Sequence, residues 1–335
     1  MEYYFVFALA TLLGAGIGSF LGMAAYRIPH GMSFVKPARS FCPGCDRKIP
    51  WYRNLPVISW LLQRGRCWCR QRRKISPHYL LLELCCAALF GLNVCVSRGE
   101  RVQAVSLSIL VAYGLLASAI DLEHAMIPDS LSVQVAIFGF AASCAGGNPA
   151  FSGADLTTRA LLSLGGLLSG AGLVGVLLIA GKFFFRPRPQ RFDPPIEVEI
   201  LGRTLRSRQG SGAWEEAPLT NYLLTRWERM ELHAASGVET VTLQSATPAY
   251  RYRGHEVRQI VLPRDAIGLG DLKWLAALGA WVGPFGAVET IGLASVLACF
   301  GIVALIVKNR QKPSGIPFGP WLTAAAYVLL IMTPH

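Results

Sequence analysis

Two short stretches of this chain place aspartates where charge is costly: IDLEHAMIPDSL at 120–131 and IGLGDLKW at 267–274. Each sits at the edge of a long apolar run. Ionisable groups at membrane depth are rare, and they face a cavity or a partner when they occur. Asp121 closes one run, Asp129 opens the next, and Asp271 opens a third further along. Two carboxylates brought together in a low-dielectric cleft cannot both ionise comfortably, so one holds a proton while the other stays charged. Such a pair can take a proton from water as general base and return one to a departing amide as general acid. Gly268 and Gly270 carry no side chains, so an extended substrate could approach Asp271 closely. The same spacing also admits ordinary helix-end acids, a charge pair between Asp271 and Lys273, or glycines used for helix packing. It leaves Asp121 and Asp129 as rivals for the first acid. Pro128 suits the first turn of a helix, and Asp129 suits its N-terminal dipole.

A second constellation is built from cysteine. Cys42 and Cys45 in FCPGCDRKIP are spaced to grip one ion from a single turn, and Cys67 and Cys69 in RGRCWCRQRRKIS supply a second pair. Four thiolates from two knuckles suit tetrahedral zinc, and a short loop with little core would draw much of its fold from the metal. The second pair is C-x-C, tighter than the C-x2-C of a zinc ribbon. Free or redox thiols are the alternative reading, with a catalytic thiol behind it. A reducing compartment argues against two disulfides. Cys85, Cys86, Cys95, Cys144 and Cys299 lie within apolar runs and read as small hydrophobes.

The elements that must position these groups are apolar helices. The 335 residues are 53% hydrophobic and only 16% charged, whereas soluble domains run near about a quarter charged. Eight apolar runs of roughly bilayer-spanning length fall near 4–26, 79–96, 102–121, 129–146, 159–183, 267–283, 287–307 and 319–333. The fold class expected is an all-α polytopic membrane protein of about eight transmembrane helices. The first run lacks a basic leading region and reads as a retained helix, not a signal peptide. The segment Arg27–His78 holds twelve Lys and Arg against one acid, Asp46. FFFRPRPQR and VKNRQK are the other basic loops, so the positive-inside rule puts these loops in the cytoplasm and both termini outside. That topology, derived without reference to the aspartates, sets Asp121 and Asp271 at one interface. The net charge of +12 then reflects topology, with no nucleic-acid partner. Five segments result: a first helix at 1–27, a Cys-rich cytoplasmic loop at 28–78, helices 2–5 over 79–183, a cytoplasmic insert at 184–266 and helices 6–8 over 267–335. Within the insert, IEVEILGRTLRS, VETVTLQSA and YRYRGHEVRQIVL alternate as strands do, while NYLLTRWERMELHA looks helical. A β-rich or α+β domain is expected there.

With these residues in hand, the chain resembles the bacterial prepilin leader peptidases, membrane aspartyl proteases of the GxGD kind. GSFLGMAAYRIP resembles the family's first helix and its exit, and CPGCDRKIPWYRNLPVISWLLQRGRC its cysteine loop. IDLEHAMIPDSL and GLGDLKWLAALGAWVG resemble its two catalytic stretches, and IPFGPWLTAAA its last helix. Carried over by position, the catalytic aspartates fall on Asp121 and Asp271, with Asp129 in support. Glu83 also matches a family acid, for hydrogen bonding to a neighbouring helix or for binding substrate. The resemblance implies removal of a short basic leader from type IV prepilins or type II secretion pseudopilins, at the cytoplasmic face of the inner membrane. It also implies N-methylation of the new terminus from S-adenosylmethionine, tied to the first loop, and contact with pilus or secretion assembly machinery. Glu123, Asp129 and Asp265 are nearby acids to meet the basic leader. Three departures stand out: Gly22 where the family has Asn, the C-x-C pair, and the long insert. The competing reading is a transporter or channel with Asp121 and Asp271 as an ion or proton relay. Internal repeats and helices interrupted near mid-membrane would mark it, and neither is visible. A scaffold that has lost activity is a third reading.

Overall fold

The computed structural model describes residues 2–33, 55–66, 75–184, 188–210, 212–219, 229–244, 246, 250–262, 268–309 and 317–333. Cys42, Cys45, Cys67 and Cys69 lie outside the described residues, as do Asp46 and Asp265. The chain forms two compact units, one of residues 1–174 with 269–335 and one of residues 175–268.

The first unit is helical. Its long members are α1 (Glu2–Arg27), α3 (Pro77–Val96), α4 (Arg101–His124), α6 (Leu156–Phe184), whose residues beyond 174 belong to the second unit, and α7 (Leu269–Asn309); α2 (Ile58–Leu62), α5 (Asp129–Cys144) and α8 (Gly319–Met332) are shorter. Local chemistry sets several starts. Ser76 accepts from the His78 amide at 3.3 Å with Pro77 in the first position of α3. Asp155 accepts from the Thr158 hydroxyl at 2.6 Å and from the Thr157 and Thr158 amides at 3.1 and 3.2 Å, ahead of α6. The Thr158 hydroxyl and these amides hold the Asp155 carboxyl below its ordinary range.

Among the described residues five helices are long and apolar enough to cross a membrane: α1, α3, α4, α6 over Leu156–Gly181 and α7 over Leu269–Ala304. The expectation of eight spans is met in part. The sixth and seventh runs are two arms of α7, divided at Gly283, where φ is 79° and ψ is 179°. Only glycine adopts that backbone region readily. Pro284 follows, with no amide for the carbonyl four residues back. That carbonyl, on Ala280, accepts instead from the Ser163 hydroxyl of α6 at 2.8 Å. The neighbouring Trp281 carbonyl accepts from the Asn148 side chain at 2.8 Å. In an apolar setting each freed carbonyl needs such a partner. The α5 and α8 helices, with 16 and 14 residues, are apolar but shorter than a perpendicular crossing needs.

Small residues let the helices meet closely. Gly14, Gly18 and Gly22 line the face of α1 toward α3; a Cβ at Gly18 would stand 2.6 Å from the Glu83 Cα, and one at Gly22 would stand 2.7 Å from the Tyr79 ring. The departure at Gly22 therefore has a packing reason: Tyr79 occupies the space of a side chain. Gly166 of α6 and Gly279 of α7 meet backbone to backbone.

The second unit holds a six-stranded antiparallel sheet, in the order β3-β2-β1-β6-β4-β5. Its strands are β1 (Arg188–Leu201), β2 (Thr204–Gln209), β3 (Glu215–Pro218), β4 (Met230–Ala234), β5 (Gly237–Val241) and β6 (Arg251–Leu262). Alternation builds it: Val198, Ile200, Leu205, Met230, Leu232 and Val257 turn into one core. The intervening Glu197 and Glu199 pair with Arg208 and Arg253 at 2.5 and 2.8 Å. The strand-rich insert is as expected, with one correction. MELHA, read as the end of a helix, is strand β4; its Met230 and Leu232 alternate inward, and it pairs with both β5 and β6.

Candidate active site

Asp121 lies in the last turn of α4 and is 5% exposed. The helix stops just beyond it, because Ala125 turns left-handed (φ 50°, ψ 41°) and returns its amide to the Asp121 carbonyl at 2.8 Å. The segment Ala125–Pro128 then leads into α5. A carboxylate buried this deeply needs donors. The donor present is the Gly319 amide, the first residue of α8, which gives its hydrogen to Asp121 Oδ2 at 3.0 Å. The N-terminus of a helix carries unpaired amides and partial positive charge, so α8 presents a favourable end to this side chain.

Asp271 lies in the first turn of α7 and is half-buried. On α7 it shares a face with Trp274, since residues three apart are neighbours on a helix. Trp274, three residues on, is fully buried and donates its indole N–H to Thr323 Oγ1 at 3.0 Å. Thr323 stands one turn into α8 and donates to the Gly319 carbonyl at 3.0 Å. Gly114 of α4 admits Thr323 from the other side, where a Cβ would lie 2.4 Å from its methyl. The start of α8 thus sits between α4 and α7, touching the carriers of both aspartates.

Ile127 makes a second link. A Cβ on Gly270 would lie 3.5 Å from the Ile127 amide nitrogen, and one on Gly319 would lie 2.8 Å from Ile127 Cδ1 and 2.8 Å from Asp121 Oδ2. The glycine preceding Asp271 and the glycine bonded to Asp121 therefore flank one buried side chain. The two glycines differ in kind. A methyl fits at Gly270 at ordinary contact distance, so helix packing does not demand glycine there; what it leaves is room before the acid. At Gly319 a methyl collides with the acid. Gly268, just before α7, is exposed.

The remaining predicted residues take distinct places. Lys273 Nζ donates to both oxygens of Asp129 at 2.7 and 2.6 Å, clamping the start of α7 to the start of α5. Its carboxylate partner is thus on α5. Glu83, in the second turn of α3, accepts from the Val57 amide at 2.6 Å, next to α2. Glu123 stands 3.7 Å from His78 Nδ1 with its side chain half exposed. An apolar cleft of about 500 Å³ opens between α1, α4 and α5, lined by Leu21, Ala24, Leu116 and Leu131, with Tyr113 donating to Gln134 at 2.8 Å. Among the described residues no cluster of His, Cys, Asp and Glu could hold a metal.

Gly319, whose amide bonds to Asp121, is the residue of this site that sequence reading passed over. The signal was present: glycine directly before proline at the head of an apolar run marks a helix start whose amides point at something. Arranged so, the site offers a buried acid with a fixed donor and a second acid at a neighbouring helix start. Two carboxyl groups in such a setting can share proton duties.

Comparison with known proteins gives a concordant picture. Residues 12–97 match the family described as Bacterial Peptidase A24 N-terminal domain. A Stutzerimonas stutzeri protein named prepilin leader peptidase/N-methyltransferase is 27% identical, covering 96% of this chain and 89% of the relative. An Escherichia coli O78:H11 protein, the type 4 prepilin-like proteins leader peptide-processing enzyme, is 27% identical over 94% of this chain and 90% of its own length. A prepilin leader peptidase/N-methyltransferase of Myxococcus xanthus is 37% identical over 42% of this chain and 41% of its own. No solved structure matches significantly. The likeness to the bacterial prepilin leader peptidases, carried in the motifs by a few stretches, extends over nearly the whole chain.

Proposed function

We propose that this chain is an intramembrane aspartyl endopeptidase that removes the leader of type IV prepilins or type II secretion pseudopilins and then N-methylates the new terminus. The names of the relatives described above support the peptidase reading and not the ion-relay alternative. Asp121 and Asp271 are the catalytic pair. The observation that carries this assignment is the start of α8, which bonds to Asp121 and packs against the helix face of Asp271. One acid takes a proton from the attacking water, while the other protonates the departing amide. Gly268 and Gly270 leave the approach to Asp271 clear for an extended chain. Lys273 and Asp129 hold the two helix starts in register. Glu123, which is exposed, is the acid that meets a basic leader, since Lys273 already occupies both oxygens of Asp129.

The proposed topology has eight crossings of the bacterial inner membrane, with α5, α8 and both arms of α7 each crossing once. The site then faces the cytoplasm, as does the 184–266 insert. Cys42, Cys45, Cys67 and Cys69 hold one structural zinc; the Ile75 amide donates to the Gly65 carbonyl at 2.8 Å, fastening the two ends of the segment that contains Cys67 and Cys69. S-adenosylmethionine is the methyl donor. Pilus or secretion machinery takes the product.

The test is incubation of the purified full chain with a candidate prepilin and S-adenosylmethionine in detergent, with product read by mass. Loss of the leader mass, followed by gain of one methyl, supports both activities. Leader loss alone confines the chain to proteolysis, and an intact substrate contradicts the proposal. Metal analysis of the same sample should give about one zinc per chain; well under half an equivalent would speak for free thiols.

A further inference from the structure

We infer that residues 55–62, the turn and helix α2, form an anchor seated in the lipid leaflet on the Asp121 side, with the acyl–headgroup boundary of an anionic bilayer as partner. The inference rests on the membrane-spanning reading of α1 and α3 and is independent of the peptidase reading. Depth is the first observation. The Val57 amide donates to Glu83 Oε2 at 2.6 Å, and Glu83 lies six residues into α3, which begins at Pro77. At ~1.5 Å per residue, Glu83 stands about 9 Å inside the helix end. The Glu83 Cα rests against Gly18 of α1, a helix that continues to Arg27 before it ends. The start of α2 is therefore level with the interior of two membrane-crossing helices.

Exposure is the second. Leu55, Ile58, Leu61 and Leu62 are 41%, 54%, 57% and 79% exposed, while Ser59 turns inward. A scattered exposed leucine needs no account, but a contiguous apolar set of this kind marks a contact surface. At this level, beside α3, the medium is lipid. Arg64 and Arg66 follow directly, placing cations where anionic headgroups lie. Amphipathic segments that lie in the interface combine these two features.

The third observation is a strained turn. Val57 has φ 61° and ψ −53°, and the Ile58 amide donates to the Pro56 carbonyl at 2.6 Å, a tight γ-turn centred on a β-branched residue. Such backbone is rare and persists when its surroundings hold it. Glu83 supplies the hold, so its place in the fold is a clip between α3 and α2.

The test uses the full chain in nanodiscs of phosphatidylethanolamine and phosphatidylglycerol, with an environment-sensitive fluorescent amino acid replacing Leu62. Phe300, 71% exposed on the second arm of α7, serves as the lipid-facing reference in a separate variant. Brominated lipid should quench the Leu62 probe at least about half as strongly as the Phe300 probe, with aqueous iodide having little effect. Dominant quenching by iodide would overturn the anchor, as would shielding from both quenchers, which would mean a protein cover. Glu83→Ala should lower the lipid quenching at least about two-fold while Glu83→Gln, which keeps an acceptor, preserves it. Unchanged quenching in Glu83→Ala would overturn the clip.

Discussion

Asp121 is fixed by a bond that spans 198 positions of sequence, from the end of α4 to the first amide of α8. That bond makes Gly319 a positioning residue, and two glycine substitutions separate its role from that of Gly270. Gly319→Ala puts a methyl 2.8 Å from Asp121 Oδ2 and must push the acid aside. Displacements on the ångström scale cost about 100-fold in rate, so leader cleavage should fall by that order in kcat with KM little changed. Gly270→Ala fits sterically and should leave thermal stability intact while raising KM, because it fills the approach to Asp271. Steady-state kinetics on both variants checks this. A KM effect at Gly319 with normal kcat would contradict the assigned role. Asp271 and the bare backbone before it stood out by residue type and position, whereas the choice of Asp121 over Asp129 came from the family resemblance and not from the residues. The Gly-Pro helix start at Gly319 was visible too, but its bond to Asp121 was not, since only tertiary packing brings that partner to it.

The break in α7 belongs to the scale of elements. Gly283 and Pro284 free two carbonyls, and Ser163 and Asn148 take them up. Asn148→Ala leaves the Trp281 carbonyl without its donor in a buried setting, a loss of about 1–3 kcal/mol in unfolding free energy. Gly283→Ala should cost a similar ~1–3 kcal/mol through backbone strain, added to a clash with Phe151 whose ring lies 2.9 Å from the new methyl. Reversible unfolding in mixed micelles measures both. Stabilities within experimental error of the parent would remove the account of the kink. Hydropathy located both arms and their short turn, because each arm is separately apolar. It did not reveal their joining into one element, nor the hydroxyl and amide groups that complete the break, since single Ser and Asn residues look ordinary in sequence. MELHA was misread for the opposite reason: five residues offer too little periodicity, and pairing with β5 and β6 decided the outcome.

At the scale of the whole molecule, the chain joins a helical unit that carries both aspartates to a strand unit with a separate core. Leu232→Ala, at a fully buried position in that core, should cost about 2–5 kcal/mol of the strand unit's stability. It should leave leader cleavage close to the parent rate, and a parallel loss of cleavage would show that catalysis depends on the strand unit. The division into apolar and strand-rich parts was legible in composition and alternation. The shared meeting point of α4, α7 and α8 was not, because hydropathy gives helices without their neighbours. The central claim is that Asp121 and Asp271 act as one catalytic unit, and the most direct measurement is prepilin cleavage by Asp121→Asn, Asp271→Asn and the double variant, each reconstituted in nanodiscs. The account predicts that each single substitution lowers cleavage by at least about 100-fold and that the double variant is no worse than either single one. Cleavage near the parent rate in either single variant would contradict it.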